Sequence, residues 1–211
     1  MLKIISFDMD GTLVSSKYVE NVWLEGMPFL YAERYDLDLV AAKKLVFDEY
    51  MSVGSGALEW YDLPLWLKHF DISAEPQSLL DRYRDQMEVY PEVEGVLQML
   101  SNKFDLVVAS NGAREFVDLE LNGLKHYFVR TFSTTSDFKK VKNCPDAYID
   151  MCDNLQVEPH EVLHIGDHRN YDYEIALEAG LQALYLDREG MEIGSHVVRD
   201  LQEAAEKILS R

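Results

Sequence analysis

Five short apolar runs, each ending in a polar or glycine-bearing tip, limit most strongly how this chain can fold. They are 2–8 (LKIISFD), 104–110 (FDLVVAS), 127–133 (YFVRTFS), 161–167 (EVLHIGD) and 181–187 (LQALYLD). Before and between the later runs lie stretches whose apolar residues recur at helical spacing, such as 92–102 (EVEGVLQMLSN). Another, 172–180 (DYEIALEAG), opens on Asp172 as an N-cap and closes on Gly180. Strands alternating with helices predict an α/β fold, a Rossmann-like parallel sheet with helices on both faces.

Residues 15–88 read differently. No strand-like run occurs there, and Val19, Val22, Trp23, Gly26, Phe29 and Leu30, then Leu79, Leu80, Tyr83 and Met87, follow helical spacing. Turn signals divide the region at 53–57, 62–64 and 74–76. The predicted organisation is a core of residues 1–14 and 89–211, with an all-helical domain, 15–88, inserted after the first strand. At 211 residues and 47% hydrophobic content the chain can bury a core. No apolar run approaches the roughly 20 residues of a membrane helix.

The N-terminus lacks the charged, apolar and small-residue segments of a secretory signal, and Cys144 and Cys152 form no metal-binding spacing. A reducing, cytoplasmic setting is expected. With 38 acidic against 20 basic residues the net charge is −18, which argues against nucleic acid and anionic membranes as partners. A small anionic substrate stays open, because a bound divalent cation can reverse the local field. The sequence does not set the oligomeric state; a monomer is compatible with it.

The first run delivers two acids, Asp8 and Asp10, to its own tip, followed by Gly11 and Thr12. Adjacent carboxylates repel, so a cation, a shared proton or exposure to water must compensate. Two other tips carry Ser110-Asn111-Gly112 and Gly166-Asp167, with Asp172 just beyond. In an open parallel sheet ligands bind at the carboxyl ends of the strands, so these tips predict one site. Four acids with oxygen-only donors point to Mg²⁺. A calcium loop would want a third Asp or Asn where Thr12 stands, and a helix–loop–helix setting. His160, His164 and His168 would share a helix face, but 161–166 is strand-like and broken by Gly166, so His164 is expected inside the sheet.

Taken in order, DMDGTL, SNG, a downstream lysine and IGDHRNYD resemble the four motifs of the haloacid dehalogenase-like hydrolase superfamily. The inserted helical region resembles that family's cap, and the likeness covers essentially the whole chain. The resemblance implies that Asp8 is a nucleophile forming an aspartyl-phosphate. Asp10 would be the acid–base partner, with its backbone carbonyl on the metal. Gly11, Thr12, Ser110, Asn111 and Lys142 would bind the phosphoryl group. Asp167 would ligate Mg²⁺ beside Asp8, and Asp172 would support the metal or orient the lysine.

The third motif departs from the common KPDPxxF, reading VKNCPDAYID. Aligning Pro145 puts Lys142 in the lysine slot and Tyr148 in the aromatic one, with Lys139 and Lys140 close by. The implied function is a Mg²⁺-dependent phosphatase acting on a small phosphorylated metabolite. A phosphosugar mutase and a non-catalytic binding protein on the same scaffold are the alternatives. The family's dehalogenases lack an acid two positions after the nucleophile, so Asp10 argues against dehalogenation. Within the helical insertion, Trp60, Tyr61, Trp66, Lys68 and His69 could face a substrate or pack their own domain; packing is the expectation.

Overall fold

The computed structural model describes residues 1–210. Those residues form two compact units, one of residues 1–15 with 89–210 and one of residues 16–88. Among them no helix is long and apolar enough to cross a membrane.

The larger unit is built on six parallel strands: β1 (Ile4–Phe7), β2 (Asp105–Ser110), β3 (Arg130–Ser133), β4 (Val162–Gly166), β5 (Gln182–Leu186) and β6 (Val197–Val198). Their order is β3-β2-β1-β4-β5-β6, so the chain reverses direction across the sheet between β1 and β4. Helices cover both faces, which is why the strands read as continuous apolar text instead of alternating. Ile5, Phe7, Leu106, Val108, Leu163 and Ile165 pack with the helices Val93–Ser101 and Leu201–Leu209. Ile4, Val107, Ala109 and Val162 pack with Pro145–Leu155 and Ile175–Glu178 on the other side.

Register then fixes what the tips bring together. Phe7 pairs with Val108 on one side and Ile165 on the other. Asp8, Ser110 and Asp167 therefore leave three adjacent strands at one edge, at the switch point of the sheet.

Two sequence readings need correction. Asp172 does not cap a helix. It lies buried inside a wide π-type turn, Arg169–Glu174, whose cap is His168, with Nδ1 accepting from Tyr171 N at 3.1 Å. The regular helix starts only at Ile175. A carboxylate needed inside the site cannot also serve as a solvent-facing cap, and wide turns of this kind gather at functional positions. The third run also starts late: its strand begins at Arg130, after a short 3₁₀ turn at Lys125–Tyr127.

The smaller unit is helical throughout. Lys17–Asn21 continues through a π-type turn, Val22–Gly26, into Met27–Tyr35. Pro28, which has no N–H to donate, sits just past that widening. Asp38 caps Leu39–Val53 by accepting from Val40 N and Ala41 N, and Asp62 caps Leu63–His69 through Leu65 N. Trp66 is fully buried, 4.7 Å from the Tyr50 ring and stacked on Phe70 at 5.4 Å. His69 is exposed and pairs with Glu49. Trp66 thus packs its own unit.

Candidate active site

Lys142 organises the site. It is 2% exposed, and its ammonium meets Asp8 Oδ1 at 2.5 Å, Asp172 Oδ1 at 2.7 Å and the Ala109 carbonyl at 2.8 Å, one acceptor for each of its three protons. Burial alone would push its pKa down. Asp172 and Asp8 outweigh that and hold it well above the ordinary lysine value. The neighbouring Lys139 is exposed, and Lys140 pairs with Asp150 at 2.6 Å, so Lys142 is the lysine of the three that stands against Asp8.

Asp172 is anchored on both oxygens. Oδ1 also lies 3.2 Å from His164 Nε2, and Oδ2 accepts from His168 N at 2.9 Å. Burial pushes its carboxyl up, but Lys142 and His164 outweigh burial and hold it well below the usual range. His164 is fully buried, and burial pushes its pKa down, so it stays neutral at pH 7. Its one N–H is therefore assigned to Nε2, facing the carboxylate, and Nδ1 accepts from the Ser6 hydroxyl at 2.8 Å.

In the remaining acids burial outweighs the support they have. Burial lifts Asp8 from 3.8 to about 6, although Lys142 pulls the other way. Asp10 rises to about 7 through burial and then the charge of Asp8, and Asp167 to about 8 through burial and then Asp8 and Asp172. Carboxylate oxygens of Asp8, Asp167 and Asp172 lie within 4.8 Å of one another. Since Asp172 is engaged on both oxygens, Asp8 and Asp167 keep acceptors for a cation. Two glycines let these carboxylates approach: a Cβ on Gly11, at φ +74°, would collide with Asp167, and one on Gly166 with Asp172. An oxygen-only cluster short of positive charge fits Mg²⁺ and gives a soft metal nothing to hold.

Ser110 is buried, its Oγ accepting from Gly112 N at 2.9 Å. Asn111 braces the site: its Oδ1 accepts from Thr134 Oγ1 at 2.9 Å and from Lys142 N at 2.8 Å. The amides of Gly11 and Thr12 are engaged inside their own turn, with Val14 O and Met9 O, while the buried Thr12 hydroxyl has no partner among the described residues.

Four residues contribute to the site in roles that sequence reading does not assign. Thr134 and Thr135 tie down the Ser110–Gly112 loop, Thr135 through the Asn111 carbonyl at 2.9 Å. His164 supports Asp172 from within the sheet. Glu120, 5% exposed, stands beside Asp10 and is pushed up to about 10 by burial first and then by Asp10. In REFVDLE it looks like one more surface acid; the only signal is its helical phase with Phe116 and Val117.

A carboxyl held protonated by the fold stabilises it fully below the ordinary value of 4.5, and progressively less as pH rises toward 10. Glu120→Gln is therefore expected to raise stability at pH 8 by several kcal/mol and to leave it unchanged near pH 4.5. Urea unfolding in EDTA at the two pH values checks this.

Residues 2–180 match the haloacid dehalogenase-like hydrolase family. A phosphoglycolate phosphatase of Vibrio vulnificus is 27% identical over 192 residues, covering 85% of this chain and 81% of that enzyme. The 5-amino-6-(5-phospho-D-ribitylamino)uracil phosphatase of Escherichia coli is 29% identical over 108 residues, 51% of this chain and 44% of that protein's length. The crystal structure of a HAD phosphatase from Thermococcus onnurineus superposes with a TM-score of 0.86 at 25% identity, covering 99% of this chain and 98% of that one. Haloacid dehalogenase structures, among them one from Pseudomonas syringae at TM-score 0.65 and 21% identity over 100% of this chain and 99% of that one, share the fold.

Proposed function

The chain belongs to the haloacid dehalogenase-like hydrolase family, and from that premise we propose that it is a Mg²⁺-dependent phosphatase that hydrolyses a small phosphate monoester through a phosphorylated Asp8. The observation that carries the reading is the contrast between the two acids following β1. Asp8 lies 2.5 Å from an ammonium that favours its ionised, nucleophilic form. Asp10, two residues on, is lifted to about 7 by burial first and then by the charge of Asp8, with Glu120 pulling the other way, so it can hold a proton.

In the first step an Asp8 oxygen attacks phosphorus, the bond to the leaving oxygen breaks, and Asp10 delivers its proton to that oxygen. In the second, Asp10, now ionised, takes a proton from water as the water attacks the phosphoryl group, and Asp8 is released. The Ser110 hydroxyl would hold a phosphoryl oxygen, and the Lys142 ammonium, against Asp8, would offset the charge of the phosphoryl group, its proton turning from Asp8 to a phosphoryl oxygen once Asp8 is esterified. Asp8, Asp167 and the Asp10 carbonyl, with Asp172 behind them, would hold Mg²⁺, which would supply the positive charge that lets a carboxylate approach an anionic ester. By its likeness to the family's cap, the helical unit is the part that would select the substrate. The two free cysteines suit a cytoplasmic enzyme. The phosphatase names of relatives support the substrate class, and Asp10 speaks against dehalogenation.

The test is hydrolysis of p-nitrophenyl phosphate at neutral pH, with Mg²⁺ and then with EDTA. Metal-dependent release of phosphate is expected, and inertness toward both the aryl ester and a panel of sugar and carboxylic-acid phosphates would overturn the reading. The leaving group gives a sharper contrast. Asp10→Asn should slow single-turnover release of an alkyl alcohol by about 10²–10⁴-fold. Release of p-nitrophenolate, which needs no proton, should slow far less. With Asp10 at about 7, the alkyl ester's rate in wild type should fall as pH rises past that value, because the proton donor is lost.

A further inference from the structure

We propose that Arg188 is a positioning residue for the nucleophile loop. Its guanidinium, fixed from behind, holds the turn that sets where Asp8 and Asp10 stand. This rests on the phosphatase reading for its kinetic consequence, but not for its structural one.

The turn after β1 is unusual in its hydrogen bonding. The Met9 carbonyl accepts from Thr12, Leu13 and Val14 amides at 3.2, 2.8 and 3.1 Å, and Gly11 N returns to Val14 O at 2.8 Å. That leaves the carbonyls of Gly11 and Thr12, two buried residues, pointing out of the turn. Arg188 meets both, Nε donating to Gly11 O at 3.0 Å and Nη2 to Thr12 O at 2.8 Å, from 177 and 176 positions away. A buried carbonyl without a donor is unfavourable, so one side chain answers for two.

The guanidinium is itself held. Nη1 lies 2.8 Å from Glu92 Oε1, and the Tyr90 ring stacks on the cation at 3.6 Å. Tyr90 and Glu92 belong to the segment that re-enters the larger unit. It is joined to the outgoing segment by the Val14–Val89 bridge and by Tyr90 N donating to Leu13 O at 3.2 Å. Arg188 thus ties the outgoing and returning segments to the end of β5.

The consequence for chemistry comes through Gly11. Its α-carbon abuts Asp167 so closely that a Cβ would collide with the carboxylate. A turn that shifts therefore displaces the Asp10 backbone on one side and Asp167 on the other. Only a planar fork reaches two successive carbonyls and a carboxylate at once; a lysine ammonium is a point donor and would lose one of them.

Two readouts test this. In wild type, hydrogen exchange at the amides of residues 11–14 should be slow; in Arg188→Ala and Arg188→Lys it should speed up at least tenfold there, with the helix Val93–Ser101 unchanged. Kinetically, Arg188→Ala should lower kcat about 10–100-fold with KM within threefold. Added guanidinium ion should restore kcat several-fold, and Arg188→Lys should stay low. Unchanged exchange at 11–14 would overturn the proposal whether or not the protein is a phosphatase. A rise in KM with kcat intact would overturn it as well, making Arg188 a substrate contact. If wild type shows no turnover, the exchange arm alone decides, so failure of the phosphatase reading is seen separately.

Discussion

Asp8→Asn is expected to remove turnover, by at least about 10³-fold, without unfolding the protein. An amide of the same shape cannot attack phosphorus, and no other carboxylate follows β1 at that position. The fold should tolerate the change. Lys142 keeps Asp172 and the Ala109 carbonyl as acceptors. Removing one charge also relieves the crowding that lifts Asp10 and Asp167, both raised in part by Asp8. The melting temperature should stay level or rise while activity disappears. Steady-state phosphate release and thermal unfolding in EDTA, run side by side, check both halves.

Lys142→Met should produce the opposite pairing, with activity and stability lost together. The substitution keeps the volume but leaves Asp8 and Asp172 buried without their cation. Breaking a buried pair from one side costs about 3–5 kcal/mol, because the stranded charge must be kept out of water or protonated. Asp172 is held well below its usual range largely by Lys142, so it has the most to lose. Its contribution is present above the ordinary carboxylate value and lost as pH falls, so the gap between variant and wild type should narrow in acid. Adding Asp172→Asn to Lys142→Met should recover part of the stability and none of the turnover. A Lys142→Met protein as stable as wild type at pH 7 would mean that the ammonium does not hold these acids in solution.

How much of this was legible in the sequence depends on how local each feature is. The strands announce themselves because a parallel sheet covered on both faces requires continuous apolar runs, and Ile4–Phe7 and Val162–Gly166 supply them. Val197–Val198 does not, since two residues carry no period. Asp8, Asp10, Ser110 and Asp167 stand out because strand ends concentrate chemistry, and the register brings those ends together, whereas Lys142, in the loop before Pro145–Leu155, is marked only by the likeness to the family's third motif. Asp172 was misread as a cap because an acid before an apolar stretch commonly is one; its burial follows from Lys142, 30 residues earlier. Glu120 and Arg188 lie beyond local reading altogether. Their roles arise from contacts with Asp10 and Gly11 that only the folded sheet creates.

The central claim is that Asp8 carries the phosphoryl group, and acid-quenching the protein during turnover of a ³²P-labelled monoester addresses it most directly. The expected result is label on the peptide containing residues 4–12, lost on treatment with hydroxylamine as an acyl phosphate should be, and absent from Asp8→Asn. Turnover with no labelled protein at any quench time, or label that resists hydroxylamine or maps to another peptide, would contradict it.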